Sequence, residues 1–276
     1  MKSALLLCLT LVAASTVSLA NDPTKTKTYS FGVVPQFSSE RISRTWEPVL
    51  EMLEKETGLQ FELSGSLDIP AFERSFIKGR YDFAYMNPYH AIIGHDREGY
   101  EPIIRDVGRS LYGIIVVKKD SPFNAIEDLD GKKVAFPAPN ALGAALIPRA
   151  EFSRKYHIDV EEMYVGSHSS VYLNVALGLA AAGGGVQKTL SQQPEQITSQ
   201  LRIISKTQEV PPHPITAHKR VPDEVKQAVS DAFLKIAATE QGAKLLKKIP
   251  MVSAGKASIQ DYQLLNEMKL DEFYVK

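Results

Sequence analysis

Cysteine is all but missing from this sequence. The one example, Cys8 of 276 residues, lies in an amino-terminal apolar run directly after Leu5-Leu6-Leu7. That run has the marks of a secretory leader: Lys2 supplies the positive start, Ala4 to Ala14 is apolar, and Ser18-Leu19-Ala20 ends on small residues. The predicted leader is 1–20, cleaved near Ala20–Asn21, and its apolar stretch is about half the length a spanning helix needs. Cys8 stands too early, and in the wrong flanks, to be a lipidated cysteine. A chain cut at Ala20 has no thiol, which excludes disulfides, thiol catalysis and cysteine metal ligation.

Net charge is missing too. There are 32 basic and 32 acidic residues, and losing Lys2 with the leader leaves about one negative charge. No basic run points to nucleic acid, and no later apolar segment points to membrane insertion. There is no G-x-S-x-G elbow for a nucleophilic serine. His90 and His95 are five apart, as are His213 and His218, which is not the i, i+4 spacing of a helical metal pair. Neither enzymatic turnover nor a cofactor or metal site is expected.

What the chain does contain is an alternation of strand and helix signals. "YSFGVV" reads as a strand, and "TWEPVLEMLEKETG" as a helix with Trp46, Val49, Leu50 and Leu53 on one face and Gly58 as its stop. "LQFELSG", "IPAFERSFIKGR" and Tyr81–Met86 continue as strand, helix, strand. A second block repeats the logic. "YGIIVVKK" is a strand, "NAIEDLDGKKVAFP" a short helix and a strand, "ALGAALIPRAEFSRKY" a helix and "EEMYVGS" a strand. "SVYLNVALGLAAAGGG" reads as a helix terminated by three glycines, "LRIISKT" as a strand, and "DEVKQAVSDAFLKIAA" as an amphipathic helix. The order implies an α/β protein of two lobes, each a mostly parallel, doubly wound sheet. The helices after Pro222 are expected to return to the first lobe.

In such sheets ligands bind beyond the carboxyl ends of the strands, where helix N-termini present free amides. Four strand-to-helix turns qualify: "VVPQFSSER", "AYMNPYHA", "FPAPNALGA" and "VGSHSSVYL". Each carries a residue suited to capping the next helix, namely Ser38 or Ser39, Asn87, Asn140, and Ser169 or Ser170. For Asn87 and Asn140 the competing role is a cap and nothing more. For Tyr85 it is a core tyrosine with its hydroxyl at the surface, and His90 is read as structural.

The blocks "YSFGVVPQ", "YDFAYMNPYHA", "SPFNAIEDLDGKKVAF", "GSHSSVYLNVALGLAAAGGGVQ" and "VPPHPITAHKRVP" occur in the order found in phosphonate-type substrate-binding proteins of ABC transporters, which this chain resembles from Tyr29 to about Ile249. The resemblance implies a type II periplasmic-binding-protein fold with two hinge crossovers, lobe 1 being 27–112 with 211–276 and lobe 2 being 113–210. It implies a periplasmic solute-binding protein that takes a phosphonate, phosphate or phosphite-like anion in the interlobe cleft for an inner-membrane permease. A sensing module for a membrane kinase is the alternative, and ferric capture by Tyr85, Tyr89 and His168 a more remote one. The residues implied at the ligand are Gln36, Tyr85, Asn87, Tyr89, Asn140, Ala141, Gly143, His168, Ser169 and His213. Two departures stand out. The family's Ser-Thr-Ser phosphonate cradle is Asn140-Ala141-Leu142 here, and its acidic residue near the second crossover is His213, a possible cation. Both changes argue against an aminoalkylphosphonate.

Overall fold

The computed structural model describes residues 27–275, so the expected leader lies outside the described residues. The chain begins with strand β1 (Thr28–Val33), helix α1 (Ser39–Thr57), β2 (Gln60–Ser64) and α2 (Ile69–Phe76). It continues through β3 (Phe83–Tyr85), α3 (Pro88–Glu98) and β4 (Glu101–Asp106). Ile42, Trp46, Val49, Leu50 and Leu53 form the buried face of α1, and Gly58 ends it at φ 71°, its amide closing on the Glu54 carbonyl. Asp68 caps α2 by accepting from the Ala71 amide at 2.7 Å, with Pro70 in the first turn.

The second block starts with β5 (Gly113–Lys118) and β6 (Lys133–Phe136), followed by a helical run over 142–156. That run has α4 (Ile147–Glu151) at its centre and wider π-type turns, Leu142–Leu146 and Phe152–Tyr156, at its ends. Next come β7 (Glu161–Tyr164), α5 (His168–Ala176), β8 (Ala182–Val186), α6 (Gln187–Ser191), α7 (Glu195–Thr198) and β9 (Leu201–Lys206). The chain then returns through β10 (Ile215–Ala217), α8 (Asp223–Ala237), α9 (Glu240–Leu246), β11 (Ala254–Lys256) and α10 (Leu264–Glu267).

Two sheets result, ordered β11-β4-β10-β3-β1-β2 and β7-β6-β8-β5-β9. Both are mixed. In the first, β1 pairs in parallel with β2 and β3, and the returning β10 is inserted antiparallel between β3 and β4. In the second, β5 is the inserted strand, antiparallel to β8 and β9. Sequence alternation reveals the βαβ units but not which strand is threaded between them.

One reading is corrected. The glycines of "AAAGGG" do not terminate a helix; α5 ends at Ala176, and Gly183 to Gly185 form the fully buried centre of β8. Glycine is a poor strand former and marks a close backbone approach there. The approach is evident: a Cβ on Gly184 would stand 1.9 Å from the Ala144 carbonyl oxygen, and one on Gly113 would stand 1.9 Å from that of Gly143. The start of the 142–156 helix thus lies directly on β8 and β5.

The chain passes between the sheets at Leu111 and Val210, which pair with each other through two 2.8 Å backbone hydrogen bonds. Helices α8 and α9 pack on α1. The last residues reach further. The Arg149 guanidinium donates to the Phe273 carbonyl at 2.8 Å, and Arg154 donates to the Met268 and Lys269 carbonyls. The carboxyl-terminal segment therefore straps the helix that covers the second sheet.

Candidate functional site

The ends of β1, β3, β6 and β8 face one another across the gap between the sheets. Val34 and Gln36 follow β1, and Tyr85 and Asn87 end β3. Ala141 to Ala144 open the helical run, His168 opens α5, and His213 precedes β10. Gln36, Asn87, Ala141, Gly143, His168 and His213 line a recess of about 20 Å³, room for little more than one water. It adjoins a cavity of about 230 Å³ through the shared walls Gln36, Val186 and His213. Tyr85 lines the larger cavity.

Asn87 does two jobs here. Its Oδ1 accepts from the His90 amide at 2.8 Å, capping α3, and its Nδ2 donates to the Asn140 carbonyl at 3.3 Å across the gap. Asn87→Ala is expected to cost about 1–2 kcal/mol, from a lost cap and a lost buried bond. Asn87→Asp keeps the cap acceptor but removes the donor. Urea midpoints of the two variants separate the effects, and equal losses would show the cap to be idle.

The remaining polar groups carry no positive charge. His168, 3% exposed, is held through Nδ1 by the Thr189 hydroxyl at 3.3 Å, which meets the Tyr172 hydroxyl at 2.7 Å. Burial pushes its pKa down to about 4. His213 stacks on Tyr85 at 5.3 Å between ring centroids, and the Gln36 amide nitrogen lies 3.4 Å from its Nε2. Burial, then the nearby His90, His168 and Arg109, depress its pKa to about 3. His213 is thus neutral rather than the cation its place in the sequence suggested. Tyr85 is wedged between His213 and Trp46, whose centroid is 4.9 Å away, and burial raises its hydroxyl pKa. An anion in the recess would meet neutral donors and the amides of Leu142 and Gly143, where the helix starts.

Three expected residues are elsewhere. Tyr89 turns into an apolar cluster with Leu142, Leu146 and Tyr262, its ring 5.7 Å from that of Tyr274. It follows Pro88 at the start of α3, on the side that meets the carboxyl-terminal strap. The Asn140 side chain is spent on structure: its amide donates to the Val275 carbonyl at 2.8 Å and to Glu73 at 3.2 Å, and its carbonyl accepts from the Val275 amide at 2.9 Å. The helix start falls on Ala141 instead. Ser169 lines neither cavity; α5 begins two residues earlier than a Ser169 cap would place it, and Ser167 is the cap, accepting from the Ser170 amide at 3.1 Å. Tyr85, Tyr89 and His168 therefore do not converge as ferric ligands would.

Sequence reasoning missed the charged wall of the larger cavity, formed by Arg109, Lys188 and Glu209 with Tyr112 and Gln187. Lys188 lies in the first turn of α6, directly after β8, at a fifth strand-to-helix junction hidden when the glycines are taken for a helix end.

The family model for "ABC transporter, phosphonate, periplasmic substrate-binding protein" matches residues 31–262. The phosphate-import protein PhnD of Mycolicibacterium smegmatis is 27% identical over 166 residues, 57% of this chain and 49% of that one, so the match spans about half of that relative. The phosphonates-binding periplasmic protein of Escherichia coli is 22% identical over 248 residues, 84% of this chain and 73% of the other. Among solved structures, a binding protein component of an ABC phosphonate transporter from Pseudomonas aeruginosa superposes with TM-score 0.82 at 20% identity, covering 90% of this chain and 87% of that one. This likeness fixes the fold as the two-lobed type II periplasmic-binding-protein architecture. With most of its length matched by the family model, the chain belongs to the phosphonate-type periplasmic substrate-binding proteins of ABC transporters.

Proposed function

We propose that this protein captures a small oxyanion of the phosphonate or phosphate class between two hinged lobes and delivers it, chemically unchanged, to an inner-membrane permease. The lobes are 27–112 with 211–276, and 113–210, bending where Leu111 pairs with Val210. One observation carries the reading: Gln36, Asn87, the Ala141–Gly143 turn, His168 and His213, from five separate segments, meet in one recess between the sheets. Such convergence at strand ends is where α/β folds place ligands. Bound in the closed form, the ligand would be enclosed by both lobes.

The loss of the hydroxyl cradle sets the specificity. Ala141 and Leu142 offer only main-chain amides, and a neutral His213 replaces the carboxylate that would pair with a ligand ammonium. Titration calorimetry of the mature protein with phosphate, phosphite, methylphosphonate and 2-aminoethylphosphonate tests this. At least one of the first three is expected to bind with micromolar Kd or tighter, a free energy near −8 kcal/mol. The aminophosphonate is expected to be at least tenfold weaker, and His168→Ala to weaken whichever anion binds. No heat from any of the four would overturn the reading.

A further inference from the structure

The cation pair in the larger cavity has no role in holding a simple oxyanion in the recess. The cavity, about 230 Å³, lies next to the recess and shares Gln36, Val186 and His213 with it. A substituent on an anion held in the recess that passes Val186 and His213 enters it. Its apolar walls include Phe37, Tyr85, Leu111, Pro212 and Pro250.

The charges on its other walls are unevenly engaged. Arg109 bonds through Nε to Asp106 at 2.9 Å. That carboxylate is also occupied by the amides of Gly108 at 2.9 Å, Val252 at 2.7 Å and Ser253 at 3.3 Å. The terminal guanidinium nitrogens of Arg109 have no partner among the described residues. Lys188, half-buried on α6, makes no ion pair among the described residues. Its pKa is lowered by burial and by the charge of Arg109, so the two cations repel each other across the cavity. Glu209 is the one acid lining the space; it is exposed and forms no ion pair among the described residues. The unengaged guanidinium nitrogens of Arg109 and the ammonium of Lys188 line one partly desolvated cavity whose single lining carboxylate, Glu209, pairs with neither, and together they form a ready site for a second anionic group.

Resting on the oxyanion reading above, we propose that the natural ligand is a bifunctional organic anion. Its phosphonate or phosphate head occupies the recess, and a carboxylate or second phosphoryl group reaches Arg109 and Lys188. The departure at His213 then has a partner elsewhere in the cleft. The carboxylate that would meet a ligand ammonium is absent, and a cation pair stands close by, so the charge preferred on the substituent is reversed.

Two compounds of similar length isolate that charge: 2-aminoethylphosphonate ends in an ammonium, 3-phosphonopropionate in a carboxylate. In calorimetric titrations 3-phosphonopropionate is expected to bind at least tenfold tighter than methylphosphonate, and more tightly still relative to 2-aminoethylphosphonate. Lys188→Met and Arg109→Gln are each expected to reduce the advantage of 3-phosphonopropionate over methylphosphonate at least fivefold. Circular dichroism spectra and urea midpoints of both variants confirm that each is folded. Equal affinity for methylphosphonate and 3-phosphonopropionate, a preference for 2-aminoethylphosphonate, or an advantage unchanged in both variants would overturn the inference while leaving the oxyanion reading intact. If neither phosphate nor any of these phosphonates binds, the oxyanion reading itself falls and the inference falls with it.

Discussion

Gly184→Ala is expected to destabilise the protein by about 3 kcal/mol or more, at the upper end for overpacking a closed core. The added Cβ would lie 1.9 Å from the Ala144 carbonyl oxygen and 2.7 Å from Cδ1 of Phe136. A phenylalanine ring can shift a little, but a carbonyl within a helix moves only with its helix. Relief requires the start of the 142–156 helix to lift off β8. That start carries the amides of Leu142 and Gly143, so anion affinity is expected to fall together with stability. Gly65→Ala, where a Cβ meets nothing within 4 Å, is the matched control and should change stability by less than about 0.5 kcal/mol. Urea unfolding of both variants, with anion titration of each, makes the comparison. A Gly184→Ala protein with wild-type midpoint and affinity would show that the helix does not rest on β8.

The second large effect is acid sensitivity. His168 and His213 are buried and neutral, with pKa values near 4 and 3 in the folded chain against an ordinary 6.5. The unfolded chain therefore takes up protons first as pH falls, and the stability held by the two neutral rings is complete above pH 6.5. It is lost as pH drops from there toward the folded values. Between pH 7 and pH 5 the pair is expected to account for about 4 kcal/mol, at about 1.4 kcal/mol per pH unit per proton. Most carboxylates titrate below this window; Glu151, raised by burial, and His218, lowered by burial, add smaller contributions of their own within it. Urea midpoints measured across it should fall steadily, and His168→Gln should remove about half of the slope. A midpoint independent of pH from 7 to 5 would mean that water reaches both rings.

Local pattern was enough for much of this molecule. The apolar stripe of α1 and its stop at Gly58 are visible as spacing and punctuation, because a helix face and a left-handed cap depend on neighbours a few residues away. Asn87-Pro88 announced a capped helix, and the cap is there. The same local logic located four of the turns that border the cleft, and with them Gln36, Tyr85, Asn87, Ala141, Gly143 and His168; His213, on none of those turns, came from the family resemblance.

What depended on distant contacts could not be read that way. Whether Asn140 faces ligand or structure is decided by Val275 and Glu73, which lie far from it in the chain. Tyr89 is claimed by Tyr274 for the same reason. The neutrality of His213 follows from burial under Tyr85 and Gln36, which no spacing encodes. The glycines of β8 show the limit most clearly. Propensity disfavours a strand of three glycines, yet the Ala144 carbonyl over Gly184 and the Val171, Val175 and Tyr172 side chains over its two neighbours leave no space for a Cβ, and packing overrides the local preference. The sequence by itself determined the alternating elements, their caps and the turns that face the cleft. Only the tertiary structure decided which strands are threaded antiparallel through each sheet, which turn residues face the gap between the sheets, and that Arg109 and Lys188 line one cavity beside it, because each of these is settled by contacts between segments far apart in the chain.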